Sequence, residues 1–297
     1  MKGYECSLFI LMPFQAFPTY GGTVMHRLEI AGLVVWFLGL TCSHRGNSTN
    51  DDMQVLKPNP TLDKLCRFLN SVRGTDKVLM LVQYVSKILM WHLKRKDPSS
   101  TLATRILNLA GPVADFRILL RYYGLIPLLQ WTAYSEQNPA PTRKLQLLGR
   151  LQNLSNFCYY PLEHAYWLGL HDVIPMKPET RDKIGIWSCR FWAAYVVLYF
   201  AQLWEEHKEL AVRERALAKK KLKVGGDKDV DAKELAVERQ ALKNERKGLL
   251  VNTIINAAYF PLTVHWSLET SSFPDVGVGI CGTIAAIAQL YTAWKSS

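Results

Sequence analysis

The run VGVGICGTIAAIAQLYTAW, Val276 to Trp294, carries no charged side chain over 19 residues. At 1.5 Å per residue it makes about 28 Å of helix, the depth of a bilayer's hydrocarbon core. A segment like this is expected to cross a membrane, because hydrocarbon leaves a backbone no partner but itself. Gly279, Gly282 and Ala286 put small side chains on this span at spacings that let another helix approach closely.

Two further stretches resemble it less completely. Ile184 to Trp204 has the length of a span and tryptophans towards both ends, but Arg190 lies about two turns inside and must snorkel or pair there. A peripheral or buried helix is the competing reading for it. Leu249 to Leu268 is apolar but holds Asn252, Asn256 and His265.

The stretch TDKVLMLVQYVSKILMWHLKRK, 75–96, is different again. Advanced by about 100° per residue, Val78, Leu81, Val82, Val85, Ile88, Leu89 and Leu93 fall in one half of the wheel. Asp76, Lys77, Gln83, Tyr84, Lys87, Lys94 and Arg95 fall in the other, with Leu79, Met80, Met90 and Trp91 intruding. The same apolar stripe suits a protein core and a bilayer interface. Membrane spans in the same chain tilt the choice towards the interface, since they hold this helix within reach of headgroups.

Charge supports that choice. Residues 57–121 hold 12 Lys or Arg against four Asp, so this segment carries most of the chain's net charge of +11. Such an excess suits nucleic acid, an acidic protein or anionic lipid. No zinc-finger spacing, RNA-binding aromatic signature or helix-turn-helix accompanies it, so nucleic acid is not an expected partner. The six cysteines are dispersed without a C-x-x-C pair. No phosphate loop, H-E-x-x-H, nucleophile elbow or dinucleotide fingerprint points to an enzyme, a cofactor or a metal. His164 and His171 are seven apart with no third ligand nearby.

The organisation expected is all-α: amphipathic N-terminal helices, then a membrane-associated helical bundle ending in a transmembrane helix. Residues 1–58 form a divergent extension without an assignment, including the apolar run Ile30 to Cys42. Residues 59–135 are the amphipathic, membrane-interacting helices, with Thr61 as N-cap, a break at Gly74-Thr75, and a seam Leu102, Ile106, Leu109, Val113, Phe116, Leu120 and Tyr123 beyond Asp97-Pro98. Pro112 is expected to kink that third helix. Residues 142–204 are helical and include the candidate span 184–204. Residues 205–247 are a charged helical arm with 13 basic and 10 acidic residues. Asp227, Asp229, Asp231 and Glu238 in it have calcium-loop spacing, but Ala232 occupies the place that needs Gly. Residues 249–297 are the C-terminal membrane region.

NPTLDKLCRFLNSVRGTDKVLMLVQYVSKILMWHL, followed by TRILNLAGPVADFRILLRYYGLIPLLQW and a Gly-containing span ending LYTAW, resembles the peroxin-11 family of peroxisomal membrane proteins, fungal type, over roughly 59–294. The order of elements carries the resemblance. It implies elongation, proliferation and fission of peroxisomes through insertion of the amphipathic helix into the cytosolic leaflet and self-association into a homo-oligomer. On this resemblance Val78, Leu81, Val82, Val85, Ile88, Leu89 and Leu93 are membrane-inserting. Lys77, Lys87 and Lys94 meet the headgroups of anionic membrane lipids, and fission machinery is a further partner. Two other readings compete: a pore or metabolite channel lined by Arg190, His164, His171, Asn252 and Asn256, and a helical scaffold whose charged arm recruits division factors.

Overall fold

The computed structural model describes residues 59–223 and 230–296, and among these there is no strand. The N-terminal extension, its apolar run, and Asp227 and Asp229 of the calcium-like spacing lie outside the described residues. The helices are α1 (Pro60–Asn70), α2 (Val72–Lys96), α3 (Thr101–Arg121), α4 (Leu125–Gln137), α5 (Arg143–Leu170), α6 (Pro178–Lys223), α7 (Val230–Ser267) and α8 (Asp275–Ser296), with a 3-10 turn at Tyr122–Gly124. They form two compact units. One joins the described residues through Gly124 to those from Phe273 onward; the other runs from Leu125 to Ser272.

Local chemistry sets the helix ends. Asn59, not Thr61, caps α1: its Oδ1 accepts from the Thr61 amide at 3.0 Å, and Pro60 occupies the first helical position, where no donor is needed. The break expected at Gly74-Thr75 falls instead at Ser71. Its hydroxyl donates to the Phe68 carbonyl at 2.6 Å and accepts from the Gly74 amide at 3.0 Å, ending α1 and starting α2 with one side chain. Gly74 lies in the first turn of α2, where a Cβ would overlap the Phe68 carbonyl. Ser100 and Thr142 cap α3 and α5 in the same manner. Pro112 lies within α3, which continues through it.

In the first unit α2 packs on α1, α3 and α8. The last of these contacts divides the region 249–297 that the sequence groups together: 249–267 belongs to α7 in the second unit, while α8 returns to the N-terminal helices. The Trp294 ring at the end of α8 meets Phe68 of α1 edge-on at 5.6 Å, with the Lys64 ammonium 4.9 Å from its centre, and Gly282 and Gly279 of α8 lie against Tyr84 and Ile88 of α2 in turn. At the other end Lys87 lies 3.6 Å from Asp275. α2 and α8 are therefore antiparallel.

In the second unit α6 packs between α5 and α7. The arm expected at 205–247 is the charged continuation of α6 and α7, which run against each other over a core of Leu203, Leu210, Leu242 and Leu249. Ion pairs flank that core: Arg213 with Glu245, Arg246 with Glu214 at 2.5 Å, and Lys220 with Glu238 at 3.5 Å. Glu238, last member of the calcium-like spacing, is thus committed to a helix–helix pair.

Candidate functional site: an apolar exterior around a charged interior

The two faces of α2 are turned the opposite way from a helix in water. Asp76, Lys77, Gln83, Ser86 and Lys87 are buried, together with Leu79, Met80, Tyr84 and Met90. The aliphatic row Val78, Leu81, Val82, Val85, Ile88 and Leu93 is half-buried, and Leu89 is 48% exposed. Lys77 and Lys87, expected at the lipid headgroups, lie inside, at 3% and 7% exposure; Lys94 alone of the three is exposed. The correction has a physical cause. The buried carboxylate of Asp76 accepts from Lys77, and Lys87 lies 3.6 Å from the exposed Asp275 at the N-terminal end of α8.

Asp76 is the centre of that interior. Lys77 Nζ donates to its Oδ2 at 2.7 Å and Arg117 Nε, from α3, donates to its Oδ1 at 2.8 Å. The same guanidinium donates to Gln83 Oε1. All four side chains are buried, as is Arg121 one turn further along α3. A charged network of this kind holds two helices in one register, since any slip leaves a charge without its partner in a place water does not reach.

The other helices repeat the pattern. In α3 the expected seam is only partly inside: Val113 is buried, but Leu102, Leu109 and Tyr123 are exposed, and Ala103, Ala110, Ala114, Arg117 and Arg121 face inward. In α8 Gly279, Gly282 and Ala286 are buried while Ile280, Ile284, Ile287 and Tyr291 point out. The close approach these small residues allow is to α2 of the same chain. A Cβ on Gly279 would come within 2.8 Å of the Ile88 side chain, and one on Gly282 would enter the Tyr84 ring. In α5 Gln152, Asn153, Asn156 and Glu163 are buried and Leu147, Leu151 and Leu154 exposed.

Exposed tryptophans bracket the apolar part of α6. Trp187 and Trp204 are 17 residues apart, about 26 Å of helix, close to the hydrocarbon thickness. Arg190, just inside the first of these, is exposed; its guanidinium lies 4.9 Å from the Trp187 ring centre and Nε donates to the Ser267 carbonyl at 3.2 Å. It snorkels and pairs at once. Beyond Trp204 polar chemistry resumes immediately: Lys208 lies over the Trp204 ring, and Lys144 donates to Glu205 at 2.7 Å. That hydrogen bond, and a second from Lys208, hold the Glu205 carboxyl below its ordinary range, as the Arg150 fork does for Glu136.

The residues proposed to line a pore have separate local engagements. His171 caps α5 and lies against Trp167, with ring centres 4.2 Å apart; His164 meets Tyr160 edge-on; and Asn256 donates to the Asn252 carbonyl at 2.9 Å. No group of three His, Cys, Asp or Glu side chains able to hold a metal occurs among the described residues.

Helices that bury carboxylates, amides and guanidinium groups while exposing isoleucine, leucine and tryptophan define a helical membrane protein. Among the described residues two helices are long and apolar enough to cross a bilayer: one within Pro178–Lys220, which exposes Trp187, Val197 and Trp204, and Asp275–Ser296, which buries Gln289 and exposes Ile280, Ile284 and Ile287. A family model described as Peroxisomal biogenesis factor 11 (PEX11) matches residues 62–294, and the chain belongs to this family of peroxisomal membrane proteins. Membership implies a role in peroxisome proliferation and division, in a family that is generally non-enzymatic.

Among similar proteins are the Peroxisomal membrane protein 11C of Homo sapiens, 26% identical over 80% of this chain and 95% of its own length, and the Peroxisomal membrane protein PMP27 of Saccharomyces cerevisiae, 24% identical over 80% and 96%. The Peroxisomal membrane protein 11B of Arabidopsis thaliana is 22% identical over 80% and 98%. Relatives this widely spread resolve the family and no subgroup of it. No solved structure matches the chain.

Proposed function

We propose that the chain elongates the peroxisomal membrane ahead of division by inserting the outward row of α2 into the cytosolic leaflet. Val78, Leu81, Val82, Val85, Ile88, Leu89 and Leu93 act as the wedge. A wedge confined to one leaflet expands it relative to the other and favours positive curvature. Self-association gathers wedges into a patch from which a tubule grows before fission factors act. The observation that carries this reading is the polarity of α2, whose aliphatic row is half-buried, with Leu89 exposed, while Asp76, Lys77, Gln83 and Lys87 are buried. In water that row would gain nothing from its exposure; in lipid it is solvated by its own kind.

Anionic lipids are the expected partners, met by Lys94, Arg95 and Lys96 in the last turn of α2. Each contributes about 1 kcal/mol near an anionic surface. Because Gly279, Gly282 and Ala286 are occupied within the chain, a homo-oligomer would use the outward row of α8, Ile280, Ile284 and Ile287.

The test is a variant with Val82, Val85 and Leu89 replaced by Ser, which strips roughly 3 kcal/mol of apolar contact from the outward row without opening a cavity inside. It is expected to remain in membranes after alkaline carbonate washing, held by Val276–Trp294, yet to leave peroxisomes unelongated when overproduced. Normal elongation at wild-type abundance would remove the wedge from the account.

A further inference from the structure

A cleft of about 450 Å³ opens where the last turns of α2 meet the first turn of α8. Three cations line it, Lys87, Lys94 and Arg95, against one carboxylate, Asp275. Lys87 is 7% exposed, so its ammonium is held at the base of the cleft instead of being dispersed into solvent. Asp275, 3.6 Å from it, is 76% exposed, so water screens the one negative charge more than it screens Lys87. The lining therefore carries an excess of two positive charges.

The remaining lining says where the cleft lies. Trp91 and Leu107 form apolar wall, and the Arg95 guanidinium rests 5.3 Å from the Trp91 ring centre. Leu93 is the last residue of the outward aliphatic row of α2, and Lys94, Arg95 and Lys96 follow it at once. A tryptophan and a basic turn at the end of an apolar row mark the height of lipid headgroups. The cleft thus presents two excess positive charges at headgroup height, immediately above a surface suited to acyl chains.

We propose that this cleft binds the headgroup of one anionic lipid per chain, and that it selects a phosphomonoester. A phosphomonoester carries about 1.5 to 2 negative charges at neutral pH and three acceptor oxygens, which matches the excess of two. A phosphodiester brings one charge, and in a choline or ethanolamine lipid that charge travels with a cation the lysines repel. The proposal rests on the reading of α2 and α8 as embedded in lipid.

The experiment uses the full chain in phosphatidylcholine vesicles doped with either phosphatidic acid or phosphatidylglycerol. Extraction in mild detergent and native mass spectrometry then count the lipid retained per chain. One phosphatidic acid is expected to stay with the wild-type chain, and phosphatidylglycerol to be lost. Lys94→Gln with Arg95→Gln, both exposed and remote from the Asp76 network, should weaken retention about thirtyfold, as two lost charges near a surface imply.

Equal retention by the variant, or equal retention of the two lipids by the wild-type chain, overturns the site. Displacement of the lipid by an equal concentration of glycerol 3-phosphate assigns the cleft to a soluble phosphate and overturns the lipid as its ligand. A carbonate wash of the vesicles keeps the two readings apart. A chain that washes off refutes lipid embedding and this site with it; a chain that stays but retains no phosphatidic acid refutes the site alone.

Discussion

Replacing Asp76 with Ala will destabilise the first unit by about 3–5 kcal/mol, the usual cost of removing one partner from a buried ion pair. Asp76 accepts from both Lys77 Nζ and Arg117 Nε, and both cations are buried, so its loss leaves two positive charges facing each other without water. The measurement is thermal unfolding of the protein in detergent micelles or nanodiscs, beside its steady-state abundance in membranes. A triple variant, Asp76→Ala with Lys77→Met and Arg117→Met, should recover most of the loss, because an apolar set of similar volume needs no charge compensation. An Asp76→Ala protein as stable as wild type would mean that the three groups do not share a dry interior.

That network also explains which part of the site could be read in the sequence. A helix over 75–96 and its division into two faces were legible from a period of 3.6; its first turn, from Val72, was not. Which face turns inward was not, because a wheel records separation and not direction: direction depends on the solvent outside. A clue was present in the intruders. Leu79, Met80 and Met90 disturbed the polar half of the wheel, and all three are buried beside Asp76 and Lys87, as residues facing another helix should be. The seam of α3 misled for the same reason. Its large side chains were assigned to the inside, where Ala103, Ala110 and Ala114 let α2 approach and Arg117 reaches Asp76. Arg190 in an apolar stretch demanded a snorkel or a partner, and it has both.

The pairing of α8 with α2 was beyond the sequence, since small-x-x-x-small spacing identifies a surface for close approach and never names the helix that comes to it. The same holds for the arm. Its interleaved charges signalled solvated helices, but only the meeting of Leu210 with Leu242, 32 positions on, makes them one hairpin.

Exchanging Gly282 for Val will push α8 off α2. A Cβ at this position would enter the ring of Tyr84, which is wholly buried, and Gly279 one turn away holds the backbones close against Ile88, so the helix cannot slide to make room. Overpacking of this kind costs about 1–3 kcal/mol. Gly248 is the control: nothing lies within 4 Å of a Cβ there, so Gly248→Ala should gain up to about 1 kcal/mol from helix propensity alone. Pairing Gly282→Val with Tyr84→Ala separates contact from general damage. If the valine collides with the ring, removing the ring frees the space, and the two penalties will sum to less than their parts by about 0.5–3 kcal/mol. Strict additivity in thermal unfolding would place the two residues apart. The functional readout follows from the same contact. α8 will still anchor the chain through carbonate washing, since Val276–Trp294 keeps its apolar length, but α2, released from it, loses the support that turns Val82, Val85 and Leu89 towards lipid. Peroxisomes overproducing Gly282→Val should therefore stay short, and those overproducing Gly248→Ala should elongate as the wild type does.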